Sequence, residues 1–117
     1  MNTKGSQQIT RSVAAALGLV TGYAALADPT PQVVTNQTVT SVSDVDYGGE
    51  VVSFTVSQPV VTGCTYTNQY AIRDTNIMKG ALALLIVARL AGNSVNFYVT
   101  GACDSSGVPL VASVTVN

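Results

Sequence analysis

The central part of this chain carries nine consecutive residues without a polar side chain, from Gly80 to Ala88. Asp74 before this run and Gly92 after it are typical helix start and stop residues, so the sequence predicts a helix over residues 75–91. A helix that is apolar nearly all round is normally buried on more than one face, and this one is too short to cross a bilayer. We therefore expect a second surface to cover it, either the rest of the domain or another copy of the chain.

Strand patterns precede the predicted helix. β-branched residues on both sides of Gly48-Gly49 predict a hairpin between strands 39–47 and 51–57. The second of these strands alternates, with Val52, Phe54 and Val56 on one face. The first strand does not alternate, since its valines recur every third residue; a single β-bulge would return them to one face and bend the strand, as small barrels require. These valines are Val39, Val42 and Val45.

Further strands are predicted on either side of the helix. Residues 66–73 suit a short third strand, residues 94–100 alternate, and residues 110–116 form a last strand. The inward face predicted for this last strand consists of Leu110, Ala112, Val114 and Val116. This order of elements is that of a mainly β, five-stranded OB-like barrel with its helix between strands three and four. The alternative is an α+β fold, in which one helix packs on an antiparallel sheet.

The N-terminus has the features of a secretory signal peptide. Basic residues precede the apolar run 12–20, and Ala25-Leu26-Ala27 supplies small residues at the expected cleavage point. We expect residues 1–27 to be removed during export to the periplasm or the extracellular space. The alternative is a retained membrane anchor, which is disfavoured because the apolar run falls short of a membrane span. Two prolines then predict a flexible arm over residues 28–37, followed by a single domain over residues 38–117.

The two cysteines, Cys64 and Cys103, both lie in the part expected to be exported. In an oxidising compartment such a pair usually forms a disulfide bond, which here closes a loop of about 39 residues and contributes roughly 4 kcal/mol. The alternatives are a reactive thiol or a metal site. A zinc site is disfavoured because the chain has no histidine and no second cysteine pair.

Charge and residue content disfavour several classes of function. After removal of residues 1–27 the chain keeps three cations and six acidic residues, so we do not expect nucleic acid as a partner. We also expect no cofactor. Catalysis is not expected, because no histidine is present and no nucleophile–base spacing is apparent. A calcium site at Asp44, Asp46, Tyr47 and Glu50 is an alternative to simple solvation of an acidic turn.

The second half of the chain resembles a family of small bacterial secreted domains. The motifs are Met78-Lys-Gly-Ala-Leu-Ala-Leu-Leu-Ile-Val-Ala-Arg-Leu-Ala-Gly92 and Val95-Asn-Phe-Tyr-Val-Thr-Gly-Ala-Cys103, with Tyr70-Ala-Ile before them. They are similar to the B subunits of pertussis-like and subtilase-type toxins. This resemblance implies an OB barrel that assembles as a ring and binds glycans. It covers about half of the exported part, and it identifies no sugar-binding residue in this chain.

Tyrosine, asparagine and glutamine residues cluster in two of the predicted strands. Sugars are held by aromatic faces beside amide and hydroxyl groups, so these residues form a candidate ligand surface. An ordinary packing role for each tyrosine is the alternative. The candidates are Tyr66, Asn68, Gln69, Tyr70, Asn96 and Tyr98.

Three functions remain open from the sequence. The first is an exported, non-enzymatic binding module for a glycan or protein ligand, assembling as a homo-oligomer through helix 75–91 and forming a ring as the resemblance implies. The second is a structural envelope or fibre subunit whose proline-containing arm, residues 28–37, or terminal strand, residues 110–117, pairs with the sheet edge of a neighbour. The third is an accessory protein or inhibitor of another secreted protein.

Overall fold

The computed structural model describes residues 29–46 and 48–117, which form six strands and one helix. The predicted signal peptide, residues 1–27, lies outside the described residues. The expectation of a mainly β fold with one helix is confirmed. The elements are β1 (Gln32–Gln37), β2 (Val39–Asp46), β3 (Glu50–Val56), β4 (Gln69–Ile72), α1 (Met78–Ala91), β5 (Val95–Cys103) and β6 (Pro109–Val116).

The strands form one mixed sheet in the order β1-β5-β6-β4-β3-β2. All neighbours are antiparallel except β4 and β6, which are parallel. Strands β1 and β2 stand at opposite ends of this order, although only Thr38 separates them. A flat sheet of six strands would be about 24 Å wide, whereas Gln37 and Val39 are at most about 7.6 Å apart. The sheet is therefore strongly curled, and its two edges approach each other at Thr38.

Two details of the predicted architecture differ from the structure. The expected barrel has five strands with the helix after the third, whereas the sheet has six strands and α1 follows β4. Residues 32–37 were expected in a flexible arm but form β1 instead. Val34 and Gln37 are buried in the curled sheet, and β1 pairs with β5. The two prolines precede this strand and do not interrupt it.

Three aromatic rings form the centre of the core. Phe54 on β3 stacks on Tyr70 of β4, with ring centroids 5.5 Å apart, and Phe97 of β5 meets both rings edge-on. The predicted alternation is confirmed, because the inward residues of β3 and β5 are almost completely buried. These residues are Val52, Phe54, Val56, Val95, Phe97 and Val99.

A bulge in β2 shifts which side chains face the core. The register against β3 changes between Val39 and Ser41, so Val39 and Val42 share the core face. The prediction of a bulge is therefore confirmed. Val45 does not join them, because it lies three residues beyond Val42 with no further bulge between them. It packs on the opposite face of the sheet, beside Val51.

A register shift between β5 and β6 has a similar effect on the last strand. Val99 pairs with Val111 and Tyr98 with Ser113, so one extra residue of β6 is accommodated at Ala112. Val111 is consequently buried in the core, together with part of Val114. The prediction that Leu110 faces inward is wrong, since it packs against the smaller apolar cluster on the outer face.

The helix begins later than predicted. Residues 75–77 form a turn in which the Oδ1 atom of Asp74 accepts a hydrogen bond from the backbone N–H of Asn76, at 2.9 Å. The predicted stop at Gly92 is confirmed, because this glycine has a φ of 73° and donates its N–H to the carbonyl of Ala88. The buried residues are Met78, Ala81, Leu85 and Ala88.

The opposite side of α1 is exposed within the described part of the chain. Leu84, Val87 and Leu90 face solvent there, so the expected cover on a second face is not supplied by the rest of this domain. No helix among the described residues is long and apolar enough to span a bilayer.

Candidate binding groove

A groove with a volume of about 450 Å³ lies on the outer face of β3 and β4. It extends from the end of β2 to the loop between β5 and β6. Its floor is apolar, formed by Val45, Val51, Ala71 and Val108. Its rim carries polar and aromatic groups, namely Ser53, Tyr66, Gln69, Arg73, Asp104, Ser105 and Ser106.

The floor follows from the two-residue periodicity of the strands. Val51 and Ser53 alternate with the core residues of β3, so their side chains point away from the aromatic cluster. Their cross-strand partners share this outer face: Val45 lies opposite Val51, and Ala71 lies opposite Ser53. Because Val51 and Ala71 are themselves buried, the floor is a packed apolar surface.

Asp104 shapes the loop on one side of the groove. Its Oδ1 atom accepts hydrogen bonds from the backbone N–H groups of Ser106 and Val108, at 2.8 and 3.0 Å. Its carbonyl accepts from Gly107, which adopts a φ of 89° that favours glycine. This tight turn holds the hydroxyl groups of Ser105 and Ser106 at the rim.

The loop that carries Tyr66 is tied to the same turn. Cys64 and Cys103 form the predicted disulfide bond, and their Cα atoms are 5.8 Å apart. Two residues after Cys64, the backbone N–H of Tyr66 donates a hydrogen bond to the carbonyl of Gly107, at 3.1 Å. The two loops therefore form one cross-linked rim, and the exposed ring of Tyr66 stands on it.

The remaining rim supplies hydrogen-bonding groups of several kinds. Gln69 Nε2 donates to Ser53 Oγ at 3.4 Å, which leaves its amide oxygen available at the groove. Arg73 and Asp104 add one cation and one anion. The groove thus combines an apolar floor and an aromatic ring with amide, hydroxyl and charged groups.

Neither a protein-family model nor a curated protein matches this chain. The resemblance to toxin B subunits stays a prediction.

The groove contains two of the six residues predicted as a ligand surface, Tyr66 and Gln69. Tyr70 is fully buried in the aromatic cluster, so its predicted surface role is wrong. The reason is the strand register, which pairs Tyr70 with Phe54 on the core face. Its hydroxyl donates to the carbonyl of Thr67 at 3.4 Å, and burial raises the pKa of the phenol to about 12.

The other three candidates lie outside the groove. Asn96 Oδ1 accepts hydrogen bonds from the backbone of Asn36 and from Asn117 Nδ2, so its amide ties the chain end to β1 and β5. Tyr98 is partly exposed on β5, opposite Val33 of β1. Asn68 is exposed just before β4, and its carbonyl accepts from the N–H of Val56.

Several groove residues were missed by reasoning from the sequence. The position of Ser53 could have been predicted from the sequence, since its alternation with Phe54 placed it on the outer face of the sheet. Arg73 and the adjacent residues Asp104, Ser105 and Ser106 were not identified. Arg73 lies far from residues 104–106 in the sequence, and the two meet only through the β4–β6 pairing and the disulfide bond.

At the acidic hairpin end, Tyr47 of the suggested calcium site lies outside the described residues. Among the described residues, no group of three or more histidine, cysteine or acidic side chains is arranged to hold a metal ion. Asp44 and Glu50 do approach each other, and the hydrogen bond and repulsion from Asp44 raise the pKa of Glu50 above its usual value. The positive charge of Lys79 acts on Glu50 in the opposite direction.

Proposed function

We propose that this protein is an exported, non-enzymatic binding module that holds a glycan in the groove on β3 and β4. The observation that carries this proposal is the pairing of the exposed Tyr66 ring with hydroxyl and amide groups on a cross-linked rim. A sugar ring presents an apolar face that packs on an aromatic side chain, and its hydroxyl groups require donors and acceptors around its edge.

The dimensions and charge of the groove fit a small neutral or weakly polar ligand. Its volume of about 450 Å³ falls within the range of sites for small molecules. Arg73 and Asp104 carry opposite charges, so the rim does not strongly favour either a cationic or an anionic ligand. The exported part has too few clustered cations for the phosphate backbone of nucleic acid.

The topology supports an OB-like barrel as the finer description of the fold. If β1 and β2 are taken as one strand bent at Thr38, the sheet has five strands and α1 lies between the third and fourth. OB folds bind oligosaccharides and oligonucleotides on strands two and three, beside the loops joining strands one to two and four to five. The groove occupies the corresponding strands, β3 and β4, and reaches the loop 104–108.

The proposal of export and of a non-enzymatic role has separate support. The disulfide bond is compatible with an oxidising compartment outside the cytoplasm, in line with the signal-like residues 1–27. Both thiols are consumed in that bond and the sequence has no histidine, so the usual nucleophiles and bases are scarce.

A glycan array followed by titration calorimetry tests the proposal. We expect the exported protein to bind at least one sugar class, and Tyr66→Ala to weaken that affinity about tenfold, because the aromatic contact is lost. Tyr98→Ala is the matched control, since it removes a similarly exposed tyrosine outside the groove and should leave the affinity unchanged. Absence of any sugar binding, or equal losses in the two variants, would contradict the proposal.

A further inference from the structure

Asp104 lies in the loop between β5 and β6 and is one of the charged residues that line the groove. Its Oδ1 atom accepts both of the hydrogen bonds that fix this loop, from the backbone N–H groups of Ser106 and Val108. Within the described part of the chain, its Oδ2 atom accepts no hydrogen bond. One oxygen of this carboxylate therefore shapes the loop, and the other is available to a ligand in the groove.

The turn at Asp104 does not require a carboxylate. An asparagine or a serine offers one oxygen acceptor and stabilises turns of this kind as well. Asp74, which does not line the groove, accepts a hydrogen bond from the N–H of Asn76 at 2.9 Å in a similar turn. The local backbone thus explains the Oδ1 atom of Asp104, whereas its Oδ2 atom has no structural role in the loop.

The position of the Asp104 carboxylate is fixed by several contacts. The preceding residue, Cys103, is joined by the disulfide bond to the loop that carries Tyr66. The N–H of Asp104 donates to the carbonyl of Val108 at 2.8 Å, and its own carbonyl accepts from Gly107 at 3.0 Å. Because these contacts belong to the protein itself, binding a ligand at Oδ2 requires little further ordering.

Arg73, the oppositely charged group of the groove, is less well placed to select a ligand. Its residue is exposed at the end of β4. A long arginine side chain loses considerable rotamer freedom when a ligand orders it, and this loss reduces its contribution to binding. The fixed carboxylate therefore has the greater influence on which ligand fits.

A carboxylate limits the chemistry of the group that it binds. It only accepts hydrogen bonds, so the ligand has to donate them. Two hydroxyl groups on adjacent carbons of a sugar ring can donate to the same carboxylate, and such charge-assisted bonds are about twice as strong as neutral ones. An acidic sugar would place a second negative charge close to Asp104, which repulsion disfavours.

We propose that Asp104 determines which sugars the groove accepts, and that the ligand is an uncharged sugar with two adjacent unsubstituted hydroxyl groups. These hydroxyls donate to Oδ2 of Asp104 while the sugar ring packs on Tyr66. The inference rests on the proposed glycan binding and names the class of sugar. Gln69 and Ser105 offer hydrogen-bonding groups to the rest of the ring edge.

Titration calorimetry of the exported protein, with the sugars identified on the glycan array, tests this role. We expect Asp104→Asn to weaken the affinity about tenfold, because an amide nitrogen replaces the charged acceptor. Thermal unfolding should not change, since the amide oxygen can accept the same bonds from Ser106 and Val108. Asp74→Asn makes the same exchange in a turn outside the groove and should leave the affinity unaltered.

Deoxy sugars distinguish a direct contact from an effect on the loop. Removal of either adjacent hydroxyl should weaken binding to the wild type about tenfold but have a much smaller effect on Asp104→Asn, whose acceptor is already lost. Equal losses in the two proteins, a wild-type affinity of Asp104→Asn, or binding of acidic sugars alone would overturn this inference. The Tyr66→Ala result decides the glycan proposal separately, and absence of any sugar binding overturns both.

Discussion

At the scale of single residues, strand register decided the role of Tyr70. Tyr66 and Tyr70 are separated by three residues in a polar stretch, and both were plausible ligand contacts. Pairing of Tyr70 with Phe54 directs its ring into the core, whereas Gln69 points to the groove. Composition alone does not distinguish these outcomes, because a tyrosine suits a buried contact and an exposed one equally well.

Burial of Tyr70 makes the stability of the fold sensitive to alkaline pH. Its pKa is raised to about 12 in the folded state, above the usual value of about 10 in the unfolded chain. Between these values the unfolded chain releases the proton more readily, so ionisation favours unfolding. We expect the stabilisation to be fully present below about pH 10 and to be lost as the pH rises toward 12. Urea unfolding at pH 8 and pH 11 measures the loss.

Two tyrosine variants separate this effect from other titrations. Tyr70→Phe should show a smaller decrease of stability between these pH values than the wild type, because the buried hydroxyl is gone. Tyr98→Phe, on an exposed residue, should keep the full decrease. Identical pH dependence in Tyr70→Phe and the wild type would argue against this explanation.

At the scale of elements, β1 was the strand that local patterns missed. Pro29 and Pro31 favour an irregular lead-in, and the residues after them have only a short strand signal. The strand forms because Val34 pairs with Phe97 of β5, a partner more than 60 residues away. Gln37, at the end of β1, is buried as well, which is unlike a loose arm. Among the described residues its Oε1 atom has no hydrogen-bond partner.

Neighbouring valines test whether β1 is an integral part of the fold. Val34 is 4% exposed and Val33 is 63% exposed. We expect Val34→Asp to lower the free energy of unfolding by roughly 3 kcal/mol or more, because it buries an unpaired charge. Val33→Asp should change it by less than about 0.5 kcal/mol. Urea denaturation followed by circular dichroism measures both, and similar small effects would indicate that residues 32–37 are a flexible arm after all.

At the scale of the whole molecule, the disulfide bond links stability to the shape of the groove. It joins the loop before β4 to the end of β5, and the sequence separation of its cysteines is 39 residues. The backbone hydrogen bond from Tyr66 to Gly107 closes the same junction. The two sides of the proposed ligand site are therefore held together by the disulfide bond and this hydrogen bond.

Removal of this bond should affect folding and binding together. For Cys64→Ala combined with Cys103→Ala, we expect the free energy of unfolding to fall by about 4 kcal/mol, since the unfolded chain gains freedom. The proposed glycan affinity should also fall, because the Tyr66 loop is no longer cross-linked to the loop 104–108. Unfolding in urea and titration calorimetry measure the two quantities. The idea fails if the double variant matches the wild type in stability.

The sequence alone determined the features that depend on neighbouring residues. These are the stop of the helix at Gly92, the alternation in β3 and β5, and the pairing of the only two cysteines. Tertiary structure decided the features that depend on distant partners: the strand β1, the outward position of Leu110 and the assembly of the groove. The physical reason is that hydrophobic periodicity and helix capping depend on residues only a few positions apart in the sequence. Strand register and bulges are settled by contacts between residues far apart in sequence, because one shifted residue moves every following side chain to the other face.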